Sequence, residues 1–152
     1  MTPGHALPMA AERLIPHRPP MRLVDRLLSF DDAGGLTEAC QREDSVLVSA
    51  DGTLDPVMLV ELIAQSYATV KGYDDLVNGR PVMEGFLVGI RKLRITGKAF
   101  ANDRLLTTVK TVGTFEGFAV VEGAVTRNGE EIASGTLKLW IVDRPAQGQG
   151  PR

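Results

Sequence analysis

The sequence has few of the residues that build metal centres and covalent frameworks. It contains one cysteine, Cys40, among 152 residues, which excludes an internal disulfide framework and fits a reducing compartment. Its two histidines, His5 and His17, stand far from any cysteine or histidine spacing that is typical of zinc sites. No glycine-rich phosphate loop follows a predicted strand. We therefore expect neither a metal nor a cofactor.

The chain also lacks a strong charge of either sign and a long apolar run. A net charge of −2 gives none of the basic footprint that nucleic-acid-binding proteins carry. No apolar stretch approaches the roughly 20 residues that a membrane-spanning helix needs. Prolines and polar residues interrupt the N-terminal segment where a signal peptide would have its apolar core. These absences predict a cytoplasmic protein with neither nucleic acid nor a membrane as its partner.

The composition is that of an ordinary globular domain. Apolar residues make up 43% of the chain and charged residues 24%, which is sufficient for a core at this length. We expect a flexible arm at 1–12, a single domain over 13–143 and a disordered tail at 144–152. The tail is rich in glycine, proline and glutamine, which do not form a packed core.

The segment 55–72 is predicted to be the central helix. It opens with Asp55 and Pro56, which are typical of the N-cap and of the first helical position. It closes with Lys71 and Gly72, which are typical of a helix C-terminus. The residues between them are apolar on almost every face, which indicates a helix that other structure buries.

Alternating patterns and turn residues predict about six strands around this helix. A hairpin is expected before the helix, over 21–42. An antiparallel meander is expected after it, with strands at 86–95, 104–115, 118–127 and 132–142. This order describes an α+β fold of the hotdog type, in which an antiparallel sheet of about six strands wraps round one long helix. Because such a sheet leaves an exposed edge that a second copy can cover, we expect a dimer.

Glu61 and Gln65 are the polar residues that stand out within the predicted helix. They are four residues apart and therefore lie on one face. A carboxylate among apolar residues is either paired or functional. The structural explanation is a hydrogen bond between the two side chains along the helix surface, and the functional explanation is acid–base catalysis by Glu61.

Three segments resemble the bacterial 3-hydroxyacyl-[acyl-carrier-protein] dehydratases. The sequence PHRPPMRLVDR at 16–26 is similar to the opening motif of that family, and ELIAQ at 61–65 is similar to the E-x-x-A-Q motif of its central helix. The sequence GFLVGIRK at 85–92 stands where the family places the strand that follows the helix, and it is most similar to the branch tied to aryl polyene pathways. The order of these segments fits the family from about residue 12 to residue 142.

The resemblance implies a hotdog dimer that removes water from a 3-hydroxyacyl thioester in fatty acid or polyene-type biosynthesis. The substrate would be carried by acyl carrier protein or coenzyme A, and the product would be a 2-enoyl thioester. In that family an acid on the central helix works with a histidine from the other subunit, while a glycine N–H at the helix start polarises the thioester carbonyl. Glu61 matches the acid, with Gln65 as its supporting neighbour. Leu47 stands in place of the histidine, and Pro56 stands in place of the glycine.

These two departures leave three interpretations open. In the first, the chain is a dehydratase in which Glu61 acts with His17, and the N–H of Val57 or Met58 replaces the lost donor. In the second, it is a catalytically reduced subunit that binds acyl chains or completes a heterodimer with an active dehydratase. In the third, it is a hotdog acyl thioesterase, in which Glu61 activates water.

Further residues are assigned to substrate contact or to the core. Phe86 and Gly89, on the strand after the helix, are predicted to bind substrate together with Val57 and Met58. Tyr67 is expected to be a core residue. His17 also has a structural alternative, in which its imidazole fixes the proline-rich segment to backbone carbonyls.

Positive charge is concentrated after the helix. The cluster consists of Arg91, Lys92, Arg94, Lys98 and Arg104. Acyl carrier proteins are acidic, so a basic cluster near a substrate channel would attract one by charge. The alternative is a solvated strand face without a partner.

Overall fold

The structure, a computed structural model, describes residues 5–145 and consists of one α-helix and one antiparallel sheet. The sheet has seven strands in the order β1-β2-β3-β5-β6-β7-β4. Helix α1 packs against strands β2 to β7. The elements in chain order are β1 Met9–Ala10, a 3-10 turn Ala11–Arg13, β2 Arg26–Phe30, β3 Gly34–Ala39, α1 Pro56–Val77, β4 Met83–Ile95, β5 Leu105–Phe115, β6 Phe118–Arg127 and β7 Glu130–Pro145.

The N-terminal segment belongs to the domain. Met9 and Ala10 pair with Leu27 and Arg26 of β2, and Met9 is only 3% exposed. The expectation of a flexible arm at 1–12 therefore does not hold for residues 9–12, because apolar side chains there enter the core. Residues 1–4 lie outside the described part of the chain. So does the predicted tail beyond Pro145, to which β7 extends.

Helix α1 begins where the sequence predicts and ends later. Asp55 is its N-cap and Pro56 its first residue, but the helix runs for 22 residues, through Gly72, to Val77. Gly72 does not end the helix. A Cβ atom at this position would lie 1.9 Å from the carbonyl oxygen of Leu14, so glycine is needed there because another backbone passes close to the helix.

The predicted hairpin before the helix is present, but its first strand is shorter. Strand β2 begins at Arg26 rather than at residue 21. At Met21 and Leu23 the backbone is bonded to side chains instead of to a strand. The N–H of Leu23 donates to Gln65 Oε1, the carbonyl of Leu23 accepts from Gln41 Nε2, and the carbonyl of Met21 accepts from Gln65 Nε2. These bonds satisfy backbone groups that a strand ladder would otherwise use.

The strands after the helix lie where the sequence predicts, but they do not form one meander. Strands β5, β6 and β7 are consecutive neighbours, whereas β4 pairs with β7. Both tight turns of the meander have positive φ at their two central residues, which are Glu116-Gly117 and Asn128-Gly129, as hairpin turns require. Strand β4 therefore lies at one edge of the sheet.

The core lies between α1 and one face of the sheet. Ile63 of the helix is fully buried and fits over Gly123 of β6, where a Cβ atom would lie 2.3 Å from Ile63 Cγ2. This contact sets the helix close to the middle of the sheet. Within residues 5–145, no helix is long and apolar enough to cross a membrane.

Candidate active site

A cavity of about 430 Å³ lies between α1, the segment that precedes β2, and strands β4 and β7. One wall is a stripe of the helix, whose lining residues are Glu61, Ala64, Gln65, Tyr67, Ala68 and Lys71. Most of these positions are three or four residues apart and so share a face. At 1.5 Å per residue, the stripe from Glu61 to Lys71 is about 15 Å long. The helix therefore provides an elongated wall with a carboxylate at one end and an ammonium group at the other.

The opposite wall is mainly apolar. It is formed by the five consecutive residues 83–87 of β4, of which Glu84 is the charged one, and by Leu139 and Ile141 of β7. The positions on β7 alternate, as residues on one face of a strand do, whereas at the edge strand β4 both faces contribute. Such a wall suits an aliphatic chain rather than a polar ligand.

Gln65 holds the part of the helix that carries Glu61 to the segment before β2. Its Oε1 accepts from the N–H of Leu23 at 2.7 Å. Its Nε2 donates to the carbonyl of Met21 at 2.9 Å and to Glu61 Oε2 at 2.7 Å. A backbone N–H can only donate, so the carbonyl oxygen of the amide must face Leu23 and the NH₂ group must face Glu61. Gln65 is 1% exposed, which makes this arrangement rigid.

Glu61 has one oxygen engaged and one available. Oε2 accepts from Gln65, as the structural explanation of the pair expects. Within residues 5–145, Oε1 has no hydrogen-bond partner, and the half-buried side chain lines the cavity. Since the amide of Gln65 can only donate to Oε2, Oε1 is the oxygen that can exchange a proton with a bound molecule.

His17 lines the same cavity as Glu61. Arg18 fixes the backbone around it, because Nη1 donates to the carbonyl of Ile15 at 2.9 Å and to that of His17 at 2.8 Å. Burial lowers the pKa of His17 below its ordinary value, the negative charge of Glu61 opposes this shift, and Arg18 adds to it. The buried Nδ1 has no hydrogen-bond partner in the described chain. The structure thus places the imidazole of His17 and the carboxyl group of Glu61 on one cavity within one chain.

The donors predicted at the helix start already have acceptors. The N–H of Val57 donates to Asp55 Oδ1 at 3.0 Å, and the N–H of Met58 donates to the carbonyl of Asp55 at 2.9 Å. Neither residue lines the cavity. The N-cap that starts the helix therefore uses the two groups that the sequence offers as carbonyl donors.

The two residues predicted on β4 differ in their placement. Phe86 lines the cavity and is 43% exposed, whereas Gly89 is not among the lining residues and lies opposite Lys138 of β7. A register shift between Leu87 and Gly89 separates them. Sequence alternation alone gives no sign of such an irregularity.

Sequence reasoning missed two residues at the far end of the cavity. Tyr67 is buried, as predicted for a core residue, but it also lines the cavity together with Lys71. Burial raises the pKa of Tyr67 to about 12, and the charges of Asp75 and Asp74 add to the shift. The spacing from Glu61 through Ala64 and Ala68 to Lys71 is the signal that could have placed Lys71 on this face.

Comparison with known proteins identifies the family. Residues 9–148 match the family described as ApeP-like, ApeP dehydratase. The chain belongs to this family of dehydratases. It is also 30% identical over 146 residues to the 3-hydroxyacyl-[acyl-carrier-protein] dehydratase FabZ of Streptococcus thermophilus, with 87% of this chain and 94% of the relative covered. The family predicted from the motifs is thereby confirmed.

Solved structures confirm the hotdog fold. The dehydratase heterocomplex ApeI:P from Xenorhabdus doucetiae contains a chain that matches with a TM-score of 0.83 at 20% identity, covering 90% of this chain and 93% of that one. A hypothetical thioesterase from Streptococcus pneumoniae TIGR4, solved with coenzyme A, matches with a TM-score of 0.61 at 13% identity, covering 79% and 87%. At these identities the likeness concerns the fold.

The basic cluster of this ApeP-like chain is divided between distant parts of the sheet. Arg91, Lys92 and Arg94 lie on the edge strand β4. Arg104 precedes β5, three strands away in the sheet order, and its guanidinium is bonded to Glu38. The first three residues thus share a strand with the cavity wall, while Lys98 lies in the connection between β4 and β5.

No metal site is evident in the part of the chain that the structure describes. Within residues 5–145, no group of three histidine, cysteine, aspartate or glutamate side chains could hold a metal ion. The chemistry that the cavity can perform with its own groups is proton transfer, by the imidazole of His17 and by Oε1 of Glu61.

Proposed function

We propose that this chain is a subunit of a 3-hydroxyacyl-[acyl-carrier-protein] dehydratase in fatty acid or polyene-type biosynthesis. It acts on a 3-hydroxyacyl group held as a thioester by acyl carrier protein or coenzyme A, and it gives a 2-enoyl thioester and water. The observation that carries the proposal is the placement of Glu61 and His17 on one elongated cavity, with Gln65 fixing the carboxylate. Membership of the dehydratase family and the name of the FabZ relative support it.

In the proposed reaction His17 accepts a proton and Glu61 donates one. The neutral imidazole of His17 takes the proton from C2, and the electron pair of that C–H bond forms the C2–C3 double bond. The C3–O bond breaks as the departing hydroxyl receives a proton from Oε1 of Glu61 and leaves as water, and the proton held by His17 then returns to Glu61. The lowered pKa of His17 keeps the imidazole neutral and able to accept a proton near pH 7.

The site is completed by a second hotdog subunit. One side of β4 pairs with β7, and the other forms no ladder with the rest of residues 5–145. This edge carries the exposed apolar residues Phe86, Leu87, Val88, Ile90, Leu93 and Ile95. An open edge with apolar side chains favours association with another chain. Because β4 also forms a wall of the cavity, the partner would cover the open side of the site.

A specific observation favours a heterodimer as the second candidate. The chain has Leu47 and Pro56 where the resemblance places a histidine and a glycine, and the N–H groups of Val57 and Met58 are engaged by Asp55. A complete partner would supply the missing carbonyl donor and a second histidine. The ApeI:P proteins of Xenorhabdus doucetiae form a dehydratase heterocomplex, which supports a pairing of this kind.

Ultraviolet absorbance of a 2-enoyl thioester, mixed with the purified chain, tests the proposal. If the chain is active as a homodimer, the chain alone is expected to hydrate the double bond, which is the reverse of dehydration, and the conjugated absorbance band should disappear. Activity that arises only after a complete hotdog dehydratase is added supports the heterodimer, and light scattering then gives the mass of the pair. Release of free thiol without hydration of the double bond indicates a thioesterase, and it contradicts the dehydratase proposal.

The carrier protein is proposed to dock at Arg91, Lys92 and Arg94. These charges follow the part of β4 that forms the cavity wall and are suited to an acidic partner. Replacing Arg91 and Arg94 by alanine is expected to weaken carrier binding and flatten its salt dependence. Arg104→Ala is the matched control, because that guanidinium is already bonded to Glu38. Equal losses in the two variants would contradict docking at β4.

A further inference from the structure

The lining of the cavity changes from mainly apolar to polar at the end away from Glu61. Next to Glu61 the helix stripe contributes the small residues Ala64 and Ala68, and the facing strands contribute apolar side chains together with Glu84. The stripe then ends in Lys71 and Tyr67. A plain aliphatic chain needs neither an ammonium group nor a phenol at its end, because both groups lose hydration when such a chain covers them.

Lys71 is held at this end by a buried acid. Its Nζ lies 2.5 Å from Oδ1 of Asp75, which is fully buried and also accepts from Arg80 Nε at 3.0 Å. An ammonium group has three N–H donors, and within residues 5–145 the acceptor of Nζ is Asp75. Lys71 can therefore donate to a second acceptor without leaving its ion pair.

Tyr67 supplies the second, independent observation. The residue is 6% exposed and lines the cavity, yet its hydroxyl makes no hydrogen bond with any residue between 5 and 145. The hydroxyl is not among the fully enclosed polar atoms that lack a partner in the described chain, so it opens onto the space that Tyr67 and Lys71 line together. A phenol that opens onto a largely apolar cavity near an ammonium group can bond to an oxygen of a bound molecule in place of water.

We propose that Lys71 and Tyr67 form a subsite for a neutral oxygen-bearing group, a hydroxyl or a carbonyl, at the distal end of the acyl chain. This inference rests on the proposed function, because it takes the reacting carbons to lie at Glu61. The stripe length of about 15 Å from Glu61 then sets the distance between the reacting carbons and the polar end. The substrate class is a medium-length acyl thioester with an oxygen at its far end.

The charges around the subsite favour a neutral oxygen over a carboxylate. Lys71 and Arg80 are balanced by Asp75 and Asp74, which accept from these two cations. A second, smaller cavity that shares Lys71 and Tyr67 is lined by further acids, Asp31 and Asp32. A carboxylate at the end of the acyl chain would be repelled by these acidic side chains. A hydroxyl or carbonyl oxygen accepts from Lys71 and Tyr67 without that repulsion.

The test compares two 3-hydroxyacyl thioesters of equal chain length, one ending in methyl and one in a hydroxyl. The ratio of their kcat/KM values is expected to favour the hydroxyl substrate by roughly tenfold, since the terminal hydroxyl accepts from Lys71 and Tyr67 whereas a methyl group covers both donors without bonding to them. Tyr67→Phe and Lys71→Met should each lower this ratio several-fold, mainly through KM. Lys110→Met, which removes a lysine outside the cavity, is the control and should leave the ratio unchanged.

Binding measurements separate failure of the subsite from failure of the proposed function. Calorimetry with Glu61→Gln and the corresponding saturated thioesters, which lack the 3-hydroxyl, reports the same preference without turnover. Turnover without a preference for the terminal hydroxyl would overturn the subsite and leave the dehydratase proposal intact. Preference in binding without turnover would support the subsite alone. If Lys71→Met fails to fold, Tyr67→Phe still decides, because the hydroxyl that it removes has no bond to residues 5–145.

Discussion

The two ends of α1 are attached to the rest of the molecule in different ways. At the end that carries Glu61, side-chain hydrogen bonds from Gln65 reach the backbone of Met21 and Leu23. At the other end, the backbone of Leu14 lies directly against Gly72. The first attachment consists of polar bonds that orient a functional group, and the second consists of close packing. We therefore expect damage to the first to reduce activity and damage to the second to reduce stability.

The largest effect is expected from Glu61→Gln. The amide removes the exchangeable proton but can still accept from Gln65 through its carbonyl oxygen. A fall in kcat/KM of about 10² to 10⁴-fold is expected, the usual contribution of a general acid or base, with little change in the melting temperature. The enoyl-thioester absorbance assay measures it. Retained turnover in a folded Glu61→Gln protein would remove Glu61 from the mechanism.

Gly72→Ala tests the packed end of the helix. The new Cβ would meet the Leu14 carbonyl at 1.9 Å, and neither backbone can yield without moving the helix. We expect unfolding free energy to fall by about 3 kcal/mol, as measured by urea denaturation. Gly113→Ala is the matched control, since a Cβ there meets no atom within 4 Å. Equal effects of the two substitutions would show that close approach at Gly72 is unimportant.

Gln65→Leu tests the polar end. The substitution keeps an apolar side chain of similar size but leaves the N–H of Leu23 and a carbonyl without partners, which should cost about 1 to 3 kcal/mol of unfolding free energy. Unlike Gly72→Ala, it should also lower kcat while KM changes little, because Glu61 loses the donor that orients it. A loss of stability with unchanged kcat would mean that Gln65 has only a structural role.

The smallest effect concerns the pH dependence of kcat/KM, which the imidazole of His17 is expected to set on the acid side. Burial lowers the pKa of His17 below 6.5, so the imidazole stays neutral as pH falls to that value and gains its proton only at lower pH. The acid limb of kcat/KM is therefore expected below pH 6.5. In Glu61→Gln the opposing negative charge is gone, so NMR titration should show the pKa of His17 lowered further. An acid limb of kcat/KM above pH 6.5 would contradict a buried His17 with a lowered pKa.

Local signals predict much of the fold. Strand β6 lies at 118–127, as predicted, because a tight turn that glycine favours stands on each side of it, at Glu116-Gly117 and Asn128-Gly129. The predicted start of α1 is also correct, because Asp55 and Pro56 act within a single turn of helix. Both signals depend on neighbours in the sequence and on nothing else in the molecule.

The errors about the fold involve contacts between distant parts of the chain. Gly72 has the pattern of a helix end, because its contact with Leu14 cannot be deduced from the helix segment. Strand β4 is predictable as a strand, but its pairing with β7 depends on how the chain crosses the sheet between them. At the site, the spacing of Glu61 and Gln65 indicates a pair, while the bonds that tie Gln65 to Leu23 require the tertiary structure.

The contact of Leu14 with Gly72 limits how the sequence can change in length. His17 follows the contact by three residues, and the imidazole lines the cavity only if that short segment keeps its length. Inserting or deleting one residue between them would shift the imidazole by about 3.3 Å along the chain, more than a hydrogen bond can tolerate. Related sequences should therefore differ between positions 14 and 17 by substitutions more often than by insertions or deletions.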